Sequence, residues 1–226
     1  MLRILGASLT VALACVAFVA AQPSGNKSVV NGVTMEGDSI TADLPESEHI
    51  KNIGSRLDGA GMCVFSSIEM AARYQGLEEM RGWRDWCAAK YRGGGWPQKV
   101  DQTLAAWFAE KKLTPIPYAQ YEGNDPTPLM DLIDKTQRMA SITYGYSPRY
   151  GGARFIAHMT NAVHFGPRFG AVLDNNFVGD NAYEWMTRDE LIRRIRLSPN
   201  GGQGSAWVFV WLTPGAPPPP KKARPV

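Results

Sequence analysis

Apolar positions recur at helical spacing in GMCVFSSIEMAARYQG, where Val64, Phe65, Ile68, Ala71 and Ala72 form one stripe. Gly76 supplies a stop, so the pattern predicts a helix from Cys63 to Gln75 with one buried face. A second amphipathic stretch, Met80 to Lys90, carries Trp83, Trp86 and Cys87 before YRGGGWP interrupts it, and Gly93, Gly94 and Gly95 predict a loop. A third helix is expected from Gln98 to Lys112 with Val100, Leu104, Trp107 and Phe108 inward, followed by an extended IPYAQY. A fourth starts near Thr127 and Pro128, with threonine as cap and proline in the first turn, and ends near Arg138. The pattern then changes to β-type runs, ASITYGYS, HMTNAVHF, FGAVLDNN, YEWM and SAWVFVWL, broken by a helix-like TRDELIRRI. Helices first and antiparallel strands second predict an α+β fold, with the helical half packed on a small, curved sheet.

The ends differ in character from this body. Residues 1–21 carry one positive charge at Arg3, an apolar run from Ile4 to Val19, and small residues at Ala20 and Ala21, the pattern of a secretory signal peptide. The run is too short for a preferred membrane span, so no span is expected once it is removed. Cys15 lies inside it, although Ala12, Leu13 and Ala14 fit a lipoprotein cleavage site poorly. Residues 22–48 read as a flexible polar lead-in, with a short strand near Val29 to Val33, and 49–212 as the folded domain. The stretch 213–226 contains four consecutive prolines and predicts an extended, solvated tail.

Composition narrows the function. The formal charge of +3 owes its sign to Arg3 and to Lys221, Lys222 and Arg224 in the tail, leaving a body near neutrality with no basic stripe for nucleic acid. Removal of the signal leaves Cys63 and Cys87 in an exported, periplasmic or extracellular setting, where a disulfide between them could persist. A body of this length does not need that crosslink to hold a core. Two cysteines and three scattered histidines have no metal-ligand spacing, so neither a metal nor a cofactor is expected.

Cys63 opens its helix directly after a glycine-rich turn, where free amides and the positive end of the dipole favour thiolate. A nucleophilic thiol needs an imidazole in reach and a third group to orient that ring. His49 lies in the polar lead-in and reads as a solvated surface histidine. His158 and His164 begin and end one predicted strand, on the same face but about 20 Å apart. In an antiparallel hairpin turning at GPRFG, the start of the first strand lies opposite the end of the second. That pairs His158 with Asp174, Asn175 and Asn176 and leaves His164 at the turn, so His158 is the expected base. Asp174 or Asn175 would hold its ring; strand alternation would send the two to opposite faces, so that only one serves and its neighbour is expected to be a turn residue or a structural hydrogen-bond partner.

The order GMCVFSS at a helix start, then HMTNAVHF, then AVLDNN resembles the papain-like cysteine peptidase superfamily. Within it the chain is most similar to the family that cleaves double-glycine leaders from bacteriocins, over roughly residues 50 to 212. The resemblance implies a papain-like fold in an exported bacterial hydrolase, with Cys63 as nucleophile, His158 as general base and acid, and Asp174 as orienting residue, Asn175 being the alternate. It implies a peptide or protein substrate, and the chain is expected to act as a monomer. One feature departs from the family: the glutamine that usually precedes the nucleophile and donates to the oxyanion is missing from LDGAGM. The Cys63 amide could give one donor, and Asn52 or Ser55 the second.

Trp96 with Gly94 and Gly95, and the stretch SPRYGGAR from Ser147 to Arg154, are candidate cleft walls, because glycine lets a peptide backbone approach closely. Trp83, Trp86, Trp107, Trp207 and Trp211 are expected in the core. Two alternatives stand beside the peptidase: a thiol acyltransferase, and an inactive binding domain of the same fold with Cys63 and Cys87 oxidised together.

Overall fold

In a computed structural model the chain is described for residues 40–54, 61–151, 155–177, 183–197 and 205–213, and for the backbone of three two-residue strands nearer the N-terminus. The apolar stripe after Gly61 becomes α1 (Cys63–Tyr74), in which every side chain except that of Arg73 is buried. The expectation of one buried face therefore gives way to a helix enclosed on all sides, because α1 lies between the sheet and two further helices. The next helix, α2 (Trp83–Lys90), starts later than its pattern suggests: Glu78–Met80 forms a 3-10 turn and Gly82, at φ 82°, redirects the chain. Pro97 occupies the first turn of α3 (Pro97–Lys111). In α4 (Thr127–Thr136) the threonine is not the cap; Asp125 Oδ1 accepts the Thr127 amide at 3.1 Å, and Gln137 ends the helix in the left-handed region at φ 51°. The hydroxyl of Thr187 accepts the Glu190 amide at 3.3 Å and caps α5 (Arg188–Arg196).

Three short strands, β1 (Leu2–Arg3), β2 (Val29–Val30) and β3 (Val33–Thr34), precede the main ones. The others are β4 (Tyr118–Gly123), β5 (Ala140–Thr143), β6 (Met159–Phe165), β7 (Phe169–Leu173), β8 (Tyr183–Thr187) and β9 (Ala206–Trp211). β2 pairs with β3, and the rest form one antiparallel sheet in the order β1-β4-β9-β5-β6-β7-β8. Helices cover both faces of this α+β sheet. On one face α1, α2 and α3 bury Phe65, Ile68, Trp83 and Leu104 against Met159, Leu173, Phe209 and Trp211. On the other, α4 and α5 bury Ile133, Leu191 and Ile195 against Ala162, Val172, Val208 and Val210. Two covered faces explain why β6, β7 and β9 are buried at every position and show no polar alternation. Trp83, Trp107, Trp207 and Trp211 are buried as expected, whereas Trp86 is half-buried and donates to Glu110 Oε1 at 3.0 Å.

A bulge at Val163 shifts the β6–β7 register between Ala162 and His164. It breaks the two-residue alternation that would have put His158 and His164 on one face. The bulged Val163 carbonyl instead accepts the amides of Thr41 and Ala42 at 3.1 and 2.8 Å, and Ala42 and Leu44 are buried. Ala42 and Leu44, ahead of His49, thus join the core, with Ile40 packed against it. His49 is not a solvated histidine: its Nε2 lies 2.9 Å from the Leu44 carbonyl, and its ring stands edge-on to Tyr183. The signal segment apart from Leu2–Arg3, most of the lead-in, Cys15, Ser55 and the proline-rich tail lie outside the described residues. Among the described residues no helix is long and apolar enough to cross a membrane.

Candidate active site

Cys63 is the first residue of α1, and the preceding Met62 offers no side-chain cap. The Met62 carbonyl accepts the Ser66 amide at 2.9 Å, so the amides of Cys63, Val64 and Phe65 have no acceptor within the helix. The backbone amides of Met159 and Val64 and the His158 ring stand close enough to the sulfur to favour its thiolate. Burial alone would raise the thiol's pKa, yet these donors and the imidazolium charge outweigh it and hold Cys63 below its ordinary 9.0.

His158 sits immediately before β6, and Asp174 immediately after β7, which the hairpin brings together. The Nε2–H of His158 donates to Asp174 Oδ1 at 2.8 Å, leaving Nδ1 as the ring nitrogen for the thiol. Both side chains are almost wholly enclosed. Burial would favour a neutral ring, but Asp174 and the Cys63 thiolate overcome it and raise His158 to about 10. Asp174 stays below its ordinary value for matching reasons: burial opposes its charge, while His158, the Asn176 amide at 2.9 Å and the Tyr150 hydroxyl at 2.8 Å stabilise it. The arrangement favours a thiolate–imidazolium pair backed by a carboxylate.

Asn175 does not orient the ring. It follows β7 in a turn, where strand alternation no longer applies, and its Nδ2 faces the carbonyls of Cys63 and Met159 at 3.2 and 2.9 Å and Ser67 Oγ at 2.9 Å. Ser67 Oγ in turn donates to the Met159 carbonyl at 3.0 Å, and Asn161 Nδ2 donates to the Ser67 carbonyl at 2.9 Å. These bonds clamp the start of α1 to the start of β6, which fixes the distance between thiol and imidazole.

The triglycine loop lies beside the nucleophile. A Cβ at Gly95 would come within 2.6 Å of Val64 Cγ1, so only glycine lets the loop close on the first turn of α1. Lys99, buried on α3, donates to the carbonyls of Arg92, Gly93 and Gly94 at 2.8, 3.2 and 2.8 Å. The Gly94 carbonyl is therefore committed to Lys99. Trp96 is 54% exposed, with the Lys99 ammonium 4.9 Å from its ring centre. Asn52 is not placed as an oxyanion donor: its Nδ2 donates to Asn176 Oδ1 at 2.9 Å and its amide to the Asn175 carbonyl at 2.8 Å.

Cys63 and Cys87 are both free, so no disulfide joins them. Burial pushes Cys87 up to about 12 against the opposing effects of Thr103 and Lys99. His164 sits near the hairpin turn with its ring 5.3 Å from Trp185. A cavity of about 310 Å3 between α4 and α5, lined by Thr127, Arg188 and Ile192, belongs to the other side of the sheet.

The sequence puts Asn176 beside His158 and Tyr150 in a cleft-wall stretch, but the roles of several residues here escape it. Tyr150 and Asn176 complete the shell of Asp174, Ser67 joins the clamp, and Glu69 accepts the Gly82 and Arg84 amides at 3.0 and 2.7 Å, anchoring α2. A charge inside an apolar stripe was the available signal for Glu69 and Lys99. Among the described residues no group of three or more His, Cys, Asp or Glu could hold a metal ion. Compared with known proteins, the chain matches no family model and no curated sequence.

Proposed function

We propose that this protein is an exported cysteine peptidase of papain-like type, acting on peptide or protein substrates. The observation that carries this reading is the hydrogen-bonded series Cys63–His158–Asp174, in which the buried thiol is held below its ordinary pKa and the ring above its own. The thiolate attacks the substrate carbonyl carbon, and the oxygen takes up the electron pair beside the Cys63 amide at the start of α1. His158 then gives its proton to the departing amine as the C–N bond breaks, leaving a thioester. In the second half His158 takes a proton from water, hydroxide adds to the thioester, and the carboxylic acid leaves as the thiolate re-forms. Asp174 holds the ring and supports its charge throughout.

The triglycine loop and exposed Trp96, packed on Val64, supply the nearest wall for the substrate chain. The oxidised binding-domain alternative has less support, since Cys63 is engaged by His158 and Cys87 by Thr103. Trapping with an electrophilic peptide tests the proposal. A covalent adduct on Cys63 that Cys63→Ala abolishes and Cys87→Ala retains is the expected result; equal adducts in both variants would remove it.

A further inference from the structure

We propose that Tyr150 is a positioning residue of this site, its hydroxyl holding the Asp174 carboxylate in the plane that keeps Oδ1 on His158. The inference rests on the reading of Cys63 and His158 as a reactive pair. Asp174 is fully buried, and its two oxygens are treated differently: Oδ1 receives His158 and the Asn176 amide, while Oδ2 receives the Tyr150 hydroxyl at 2.8 Å. A carboxylate anchored at one oxygen can still turn about its Cβ–Cγ bond; a donor on the other oxygen stops that rotation.

The direction of the Tyr150 proton is fixed by its neighbours. Asn176 Nδ2 can only donate, and it lies 2.8 Å from the hydroxyl, so the hydroxyl accepts there and spends its one proton on Asp174. Asn176 is itself oriented, since its Oδ1 accepts from Asn52. The phenol resists ionisation strongly, chiefly through burial and then through Asp174, so it remains a donor across the working pH range.

The ring is placed as deliberately as the hydroxyl. It packs 5.8 Å from His158 and edge-on to Phe177 at 5.1 Å. Its short 3-10 turn, Pro148–Tyr150, is capped by Ser147, whose Oγ accepts the Arg149 amide and donates to Glu184 Oε2 at 2.7 Å. Glu184 is paired with the largely buried Arg194 at 2.6 Å, so the turn is tied through β8 to α5.

Alkylation of Cys63 by iodoacetamide, followed by mass spectrometry across pH, tests this without knowledge of the substrate. Tyr150→Phe keeps the ring and removes the hydroxyl. It is expected to slow Cys63 alkylation at neutral pH about tenfold, the scale of one hydrogen bond to a charged group. The loss of the His158 proton should also move below about 10, because the carboxylate swings off line. In an Asp174→Ala background the same substitution should change the rate by less than about twofold, since Tyr150 acts through Asp174. An unchanged rate in Tyr150→Phe, or equal slowing in both backgrounds, would overturn the proposal while leaving the reactive pair standing. A wild-type Cys63 that titrates like an ordinary thiol near 9.0 would overturn the pair, and the positioning role with it. Should the phenylalanine variant unfold, Asn176→Ala, which removes the donor that directs the hydroxyl, is expected to show the same slowing, and an unchanged rate there would equally overturn the proposal.

Discussion

Cys63 and Cys87 are both free, both buried and both on helices packed against the same face of the sheet, yet their thiols are driven in opposite directions. Around Cys87 burial dominates and lifts the thiol to about 12, and the nearby Lys99 spends its donors on three loop carbonyls. Around Cys63 burial is overcome by an imidazole with a carboxylate behind it and by two backbone amides. Depth therefore does not make a thiol inert or reactive. What decides it is whether donors and a compensating cation are fixed on the sulfur before it ionises.

The sharpest way to break this comparison is to exchange the cysteines' fates by substitution. Cys63→Ala is expected to lower peptide-bond cleavage by about 10^3-fold or more, whereas Cys87→Ala leaves turnover intact and costs about 1 kcal/mol of stability, read from denaturant unfolding. A Cys87 variant that lost turnover would show that the second thiol belongs to the site.

Removing the carboxylate should make Cys63 behave more like Cys87. Asp174→Asn is expected to lower kcat by about 10^2- to 10^4-fold, since the ring loses its tautomer and its support. Asp174 raises His158, so without that charge the imidazolium is lost at lower pH. The alkaline limb of the rate profile, expected near 10 where His158 loses its proton, should move down. An alkaline limb that stayed in place would separate Asp174 from the base.

Asn175→Ala tests whether the clamp, and not the ring, depends on this residue. It leaves the Cys63 and Met159 carbonyls without their donor and is expected to cost about 1–3 kcal/mol of stability, read as a lowered unfolding midpoint. The alkaline limb should be unmoved, in contrast to Asp174→Asn. Lys99→Met should have the smallest effect on the chemistry: the loop carbonyls lose their partner, KM rises and kcat changes by less than about threefold. A fall in kcat with unchanged KM would contradict a substrate-wall role for the loop.

Much of this arrangement is legible where short-range rules suffice. The stripe from Val64 to Ala72 marks α1, and two β runs joined by GPRFG bring His158 to Asp174 in the structure. Legibility stops where the chain leaves regular geometry. Asp174 and Asn175 lie beyond the end of β7, and it is the turn there, not strand alternation, that puts Asp174 on the ring and Asn175 on the clamp. The bulge at Val163 draws the lead-in onto the sheet, an event no local pattern encodes apart from the alternation of Ile40, Ala42 and Leu44. Tyr150 reaches Asp174 from 24 positions away along the chain, and nothing in PRY announces it. The last strand, β9, lies between β4 and β5, an interior place that suits a wholly apolar strand once both faces are covered, a requirement set by the assembled layers.

The surroundings of Cys63 favour its thiolate, and those of Cys87 oppose it. Alkylation of both cysteines in one native sample, followed residue by residue across pH by mass spectrometry, tests that difference most directly. Cys63 is expected to react with a midpoint below 9.0, and Cys87 to stay unmodified until about pH 12 or unfolding. Equal titration of the two thiols, or a Cys63–Cys87 disulfide that blocks both until reduction, would contradict it.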